Sequence, residues 1–181
     1  QAVDPAPLPT TPKTARPGQK INAKGGKGQD VIRQAGGKGD DKLNAKGGKG
    51  QDVIRQTGGK GDDKLNAKGG KGQDVIRQAG GKGDDKLNAN GGKGNDIVKL
   101  NGGKGNDKFT LQVSKGQDRA VIQGGQGNDQ AVIKAGNQNI TQVNAAGKVL
   151  FKQGTGGTVV KVSGVETIRV LGAGNKVLFK K

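Results

Sequence analysis

The chain has 181 residues, no cysteine, no histidine and a formal charge of +17, from 32 lysines and arginines against 15 acids. Disulfides, thiol chemistry and imidazole catalysis are therefore excluded. No run of about 18 or more apolar residues occurs, so no segment reads as a membrane-spanning helix.

Residues 1–17, QAVDPAPLPTTPKTARP, hold all 5 prolines and read as an extended arm. The arm lacks the apolar core of a signal peptide, and its start at Gln1 without Met is that expected of a processed, secreted chain. Residues 18–24, GQKINAK, echo the Lys-Leu-Asn-Ala-Lys segment of the repeats that follow, with Ile21 for Leu, and read as a partial first rung.

Residues 25–134 are ten tandem half-units of 11 residues, each written Gly-Gly-Lys-Gly-x-Asp plus five strand-like residues. Gly25–Lys46 recurs as Gly47–Lys68 and Gly69–Asn90 with one change each, Thr57 for Ala35 and Asn90 for Lys46; looser copies start at Gly91, Gly102, Val113 and Gly124. A fixed period of this kind specifies a stacked array. A disordered Gly-rich tract is the alternative that composition allows, but the apolar phase argues against it. The Gly-Gly-Lys-Gly part is expected to be a turn outside regular structure. Only one phase of the following strand keeps every Lys and Arg out of the core: the third and fifth residues counted from Asp point inward, as in Ile32/Gln34, Leu43/Ala45 and Phe109/Leu111. The closed object is an all-β, right-handed parallel β-solenoid with two short strands per 22-residue coil and five coils stacked about 4.8 Å apart. Ile32, Ile54, Ile76, Val98 and Ala120 then form one inward ladder, and Gln34, Gln56 and Gln78 form another whose amides can pair along the axis.

The pattern Gly-Gly-Lys-Gly-x-Asp-x-apolar-x resembles the haemolysin-type (RTX) calcium-binding repeat, a parallel β-roll. GGKGDDKLN at 36–44 and GGKGNDKFT at 102–110 match all nine of its places, although the period here is 11 residues instead of nine. The resemblance implies bound Ca2+ between successive turns, held by turn carbonyls and the motif aspartates: Asp30, Asp52, Asp74, Asp96 and Asp118 along one edge, Asp41, Asp63, Asp85, Asp107 and Asp129 along the other. All acids except Asp4 and Glu166 lie in the turns, and glycine turns expose carbonyls suited to a hard cation. The residues leave open a metal-free arrangement in which turn lysines (Lys27, Lys38, Lys49, Lys60, Lys115 and their equivalents) neutralise the Asp rows.

Outward, one sheet presents Arg33, Arg55, Arg77 and Lys99 beside Val31, Val53, Val75 and Ile97; the other presents Lys42, Lys64, Lys86 and Lys108. These rows read as a solvated face, as a contact between copies, or as a surface for a polyanion such as extracellular DNA, acidic polysaccharide or an anionic cell surface. With three phenylalanines as the only aromatics, sequence-specific nucleic-acid recognition is not expected. Residues 135–181 leave the period. ITQVNA, KVLFK (148–152), TVVKVSG, VETIRVLG and a second KVLFK (176–180) read as β-strands of a C-terminal β cap or assembly segment.

An enzyme is not expected: the only serines are Ser114 and Ser163, no acid pair lies outside the turns, and the glycine motif is not a phosphate-binding P-loop. Outward rows of charge, not threonine, argue against ice binding. Two functions remain. One is a secreted bacterial structural protein that self-assembles into an extracellular fibre or surface layer with calcium in its turns. The other is a calcium-dependent adhesion or biofilm-matrix module that binds acidic polymers.

Overall fold

The computed structural model describes residues 13–14, 17–114, 116–136, 140–143, 148–151 and 158–180. Most of the expected Pro-rich arm, Lys115 and the Gly-rich turn at 154–157 lie outside the described residues.

The described chain is all-β, in two facing sheets. Odd-numbered strands β1 (Lys13–Thr14), β3 (Val31–Lys38), β5 (Val53–Lys60), β7 (Val75–Lys82), β9 (Ile97–Lys104) and β11 (Arg119–Gln126) stack in parallel in the first sheet. Even-numbered strands β2 (Lys20–Lys24), β4 (Lys42–Lys49), β6 (Lys64–Lys71), β8 (Lys86–Lys93), β10 (Lys108–Gln112) and β12 (Gln130–Gly136) stack in parallel in the second. The register advances by one 22-residue coil, so Ile32 lies on Ile54, Ile54 on Ile76 and Ile76 on Val98, while Ile21 lies on Leu43 as the partial first rung. This is a parallel β-solenoid of about five coils.

The inward phase is the expected one. Ile32, Leu43, Ile54, Leu65, Ile76 and Leu87 are buried and face each other across a core one side chain deep. The glutamine ladder forms: the amide of Gln56 donates to Gln34 Oε1 and that of Gln78 to Gln56 Oε1, both at 2.7 Å. Each amide also crosses the core, to the carbonyls of Asn44, Asn66 and Asn88 at 3.0–3.1 Å. Pairing along and across the coil is what lets these amides sit in the interior; Gln78 Oε1, where the ladder meets Leu100, is buried without a partner.

The glycines differ from expectation. Gly-Gly-Lys does not interrupt the strand; it is the last three residues of it, and full strands run for 8 residues, not five. The reason is that the corner still bonds to the next coil: Lys49 N–H donates to the Gly26 carbonyl at 2.9 Å and Gly28 N–H to the Lys49 carbonyl at 2.8 Å. The chain bends without leaving the ladder because the second glycine takes a positive φ, +143° at Gly48, which L side chains rarely adopt. Where Val113-Ser114 replace the glycine pair, the strand stops early, at Gln112.

Beyond the repeats, β15 (Val159–Ser163) and β16 (Thr167–Gly172) add a sixth level in parallel on β11 and β12. Each sheet is then closed by reversed strands. β14 (Lys148–Phe151) pairs antiparallel with β15 and with β13 (Ile140–Val143), and β17 (Val177–Lys180), after a short 3-10 turn at Ala173–Asn175, pairs antiparallel with β16. Reversed strands thus end the parallel stack in both sheets.

Candidate functional site

Strand alternation carries one step further back than the third and fifth residues: the motif Asp is first in the same series and points inward. Nine of the ten motif aspartates, from Asp41 to Asp129, are buried, with Asp52, Asp85, Asp107 and Asp129 at 0 % exposure; Asp30, at the open end, is half-buried.

Their oxygens divide into two classes. From Asp41 to Asp129, each Oδ1 accepts the backbone N–H one coil earlier, Gln19 to Asp41, Asp41 to Asp63, Asp52 to Asp74, and so on, at 2.7–2.9 Å along both edges. The cap completes both rows. Asp129 N–H donates to Glu166 Oε2 at 2.6 Å and Asp118 N–H to Thr158 Oγ1 at 3.2 Å. Outside the half-unit that begins at Val113, each Oδ2 turns toward the first glycine of its own motif. Asp30 Oδ2 accepts Gly26 N–H at 2.7 Å, and Asp118 Oδ2 accepts the Ser114 hydroxyl at 2.9 Å. In the other eight motif aspartates Oδ2 is buried and has no hydrogen-bond partner.

Burial therefore works against the charged form. It pushes Asp63, Asp96 and Asp107 up to about 6 and Asp85 to about 7. The accepted N–H opposes this shift, and the neighbouring carboxylates of the row add to it. Asp52, Asp74 and Asp129 are raised for the same leading reason. Among the described residues, the hydrogen bonds at the motif carboxylates come from backbone N–H groups and the Ser114 hydroxyl.

Calcium takes about six to eight oxygens in its shell. Here Oδ1 is already engaged, and Oδ2 and the first-glycine carbonyl of the next coil flank a glycine Cα. Among the described residues no three acidic side chains converge on a cation position. The eight bare Oδ2 atoms are what a proton or a cation would satisfy.

A second acidic series is exposed. Asp40, Asp62, Asp84, Asn106 and Asn128 form a side-chain-to-backbone ladder running the opposite way, with Asp62 N–H donating to Asp40 Oδ1 at 2.8 Å.

The basic residues lie outside, where expected. Arg33, Arg55, Arg77 and Lys99 stack in register and are exposed on the first sheet. Lys42, Lys64, Lys86 and Lys108 do so on the second, with Lys20 extending the row to five. The adjoining Val31, Val53 and Val75 are half-buried, and their row is broken by Arg119. Glu166 and Thr158 end the two ladders from outside the 11-residue period. The signal was present in Glu-Thr-Ile-Arg-Val (166–170) and Thr-Val-Val-Lys-Val (158–162), which keep the polar-x-apolar-x-apolar order of a half-unit.

These features define a parallel β-solenoid with its motif aspartates folded inward and its bases displayed outward. No protein-family model matches the chain, and no curated protein and no solved structure is similar to it.

Proposed function

We propose that this protein is a non-catalytic extracellular scaffold whose basic faces bind extended polyanions. The observation that carries the reading is the segregation of charge: the motif carboxylates are buried and bonded to backbone, while the stacked lysines and arginines are exposed. Like charges stacked at strand spacing repel, and a polyanion relieves that repulsion while releasing its own counterions. The absence of histidine and cysteine from the sequence agrees with a binding role. Binding to heparin or DNA should be tight at 50 mM salt and fall steeply by 200 mM, by orders of magnitude for about six or more contacts. Failure to bind any polyanion at low salt would overturn the reading.

Two narrower expectations accompany it. End-to-end self-assembly into a fibre or layer is favoured by β2 and β17, the outermost described strands of the second sheet, and by exposed Val177 and Leu178 on β17. Electron microscopy tests it: a strictly monomeric sample at high concentration removes it. Calcium in the turns, and with it kinship to the haemolysin-type repeats, is favoured only by the bare Oδ2 atoms. A melting temperature that rises with calcium and falls with chelator supports that kinship; no response to either counts against it.

A further inference from the structure

The two edges of the solenoid differ in charge. Where the chain leaves the second sheet it reads Ala-Lys-Gly-Gly-Lys-Gly-Gln-Asp (45–52); where it leaves the first it reads Gln-Ala-Gly-Gly-Lys-Gly-Asp-Asp (34–41). The first-sheet edge thus sets a single lysine row beside exposed Asp40, Asp62 and Asp84. The second-sheet edge has two exposed lysine rows, one through Lys46 and Lys68, the other through Lys49 and Lys71, with Gln51 and Gln73 where the opposite edge has its extra aspartates.

Between those two rows runs a groove of about 580 Å³. Its floor is the second glycine of each motif, Gly26, Gly48, Gly70 and Gly92, and no acidic residue lines it. The floor is bare by necessity: a Cβ on Gly48 or Gly70 would run into a glycine carbonyl of the preceding coil. Four levels at strand spacing make the groove about 14 Å long, parallel to the solenoid axis.

We propose that this groove binds a linear acidic polysaccharide lying along the axis. The proposal rests on the polyanion reading above and assigns it a place and a ligand class. Lysines repeating once per coil on both walls suit a chain whose charges repeat at every sugar, and Asn90, standing in one wall where a lysine would be, offers an amide to a sugar hydroxyl. Nucleic acid is disfavoured because no aromatic side chain lines the groove to stack a base. A second copy is disfavoured because its aspartate edge carries a lysine row of its own, and both molecules are strongly basic.

The test compares polygalacturonate, single-stranded DNA and duplex DNA as probes for the full chain and two quadruple variants. One is Lys46→Gln/Lys49→Gln/Lys68→Gln/Lys71→Gln; the other is Lys38→Gln/Lys60→Gln/Lys82→Gln/Lys104→Gln on the opposite edge. Both remove four charges from exposed positions. Expected is a loss of polygalacturonate affinity of about tenfold or more in the first and under about threefold in the second. Equal losses would overturn the groove while leaving the polyanion reading intact. No binding by the wild-type chain would overturn both. Tighter, groove-dependent binding of either DNA would overturn the ligand class. Lysine acetylation of the wild-type chain gives a check independent of the variants: Lys46, Lys49, Lys68 and Lys71 should be protected by polygalacturonate, and uniform protection of all lysines would overturn the proposal.

Discussion

The first glycine of each motif offers the sharpest test of how the coils pack. Gly36 does not need a positive φ; it needs the absence of a side chain. A Cβ built there would lie 2.5 Å from the Gly58 carbonyl oxygen in the next coil and 2.7 Å from Asp41 Oδ2, roughly 1 Å inside ordinary contact on two sides. To admit it, either the coils part, stretching ladder bonds, or the Asp41 carboxylate moves away from the Gln19 N–H that it accepts at 2.9 Å. Overpacking costs about 1–3 kcal/mol, and a disturbed hydrogen bond to a charged group adds about 1.5–3 kcal/mol. Gly36→Ala should thus cost about 3 kcal/mol or more, which in a chain of this size lowers the melting temperature by roughly 6–12 °C. Gly26→Ala is the control. Nothing lies within 4 Å of its Cβ and its φ is ordinary, so it should be neutral or stabilise by up to about 1 kcal/mol. Thermal melts followed by far-UV circular dichroism read both. Equal melting of the two variants would refute the argument that the motif glycine is there to make room for its own aspartate.

Other expectations follow from the ladders. Because the folded-state pKa values of Asp63, Asp85, Asp96 and Asp107 are raised to about 6–7, the folded state holds more protons than the unfolded state between that range and the ordinary carboxylate value. Their contribution is full below about pH 4 and lost as pH rises through 6–7; stability should climb from pH 8 to pH 5, and a flat or falling profile in melts without divalent cations would contradict the buried rows. The chain has no histidine to blur that window. Gln56→Leu should destabilise by about 1–3 kcal/mol, since it strands Gln34 Oε1 and removes the acceptor of Gln78; replacing Gln34, Gln56 and Gln78 together by Leu should cost less, as denaturant melts would reveal. Glu166→Ala leaves Asp129 N–H without its acceptor and should cost about 1–3 kcal/mol, seen as faster hydrogen exchange in β12 and β16, with Glu166→Gln restoring protection.

The sequence by itself determined the solenoid. A strict 11-residue period, with lysine and arginine confined to one phase of the alternation, leaves a single way to bury Ile32, Leu43 and their copies, so the two-strand coil, the glutamine ladder and the entry rung at 18–24 were legible. The cap was legible as strands, because its residues abandon the period but keep β-branched alternation. What only the tertiary structure decided is where the polar groups go. Glycine reads as a turn from local entropy, yet Gly36 and Gly37 stay in the ladder because the next coil supplies partners that no local pattern displays. The motif aspartates read as turn residues, yet they point inward because the N–H groups they satisfy lie 22 residues earlier and become neighbours only on stacking. Glu166 sits 37 residues beyond Asp129, off the repeat spacing, so its place at the end of the row appears only once the sixth coil is laid down. The unequal charge of the two edges was likewise written in Lys46 against Ala35 and Gln51 against Asp40, but only stacking turns those differences into a continuous basic groove.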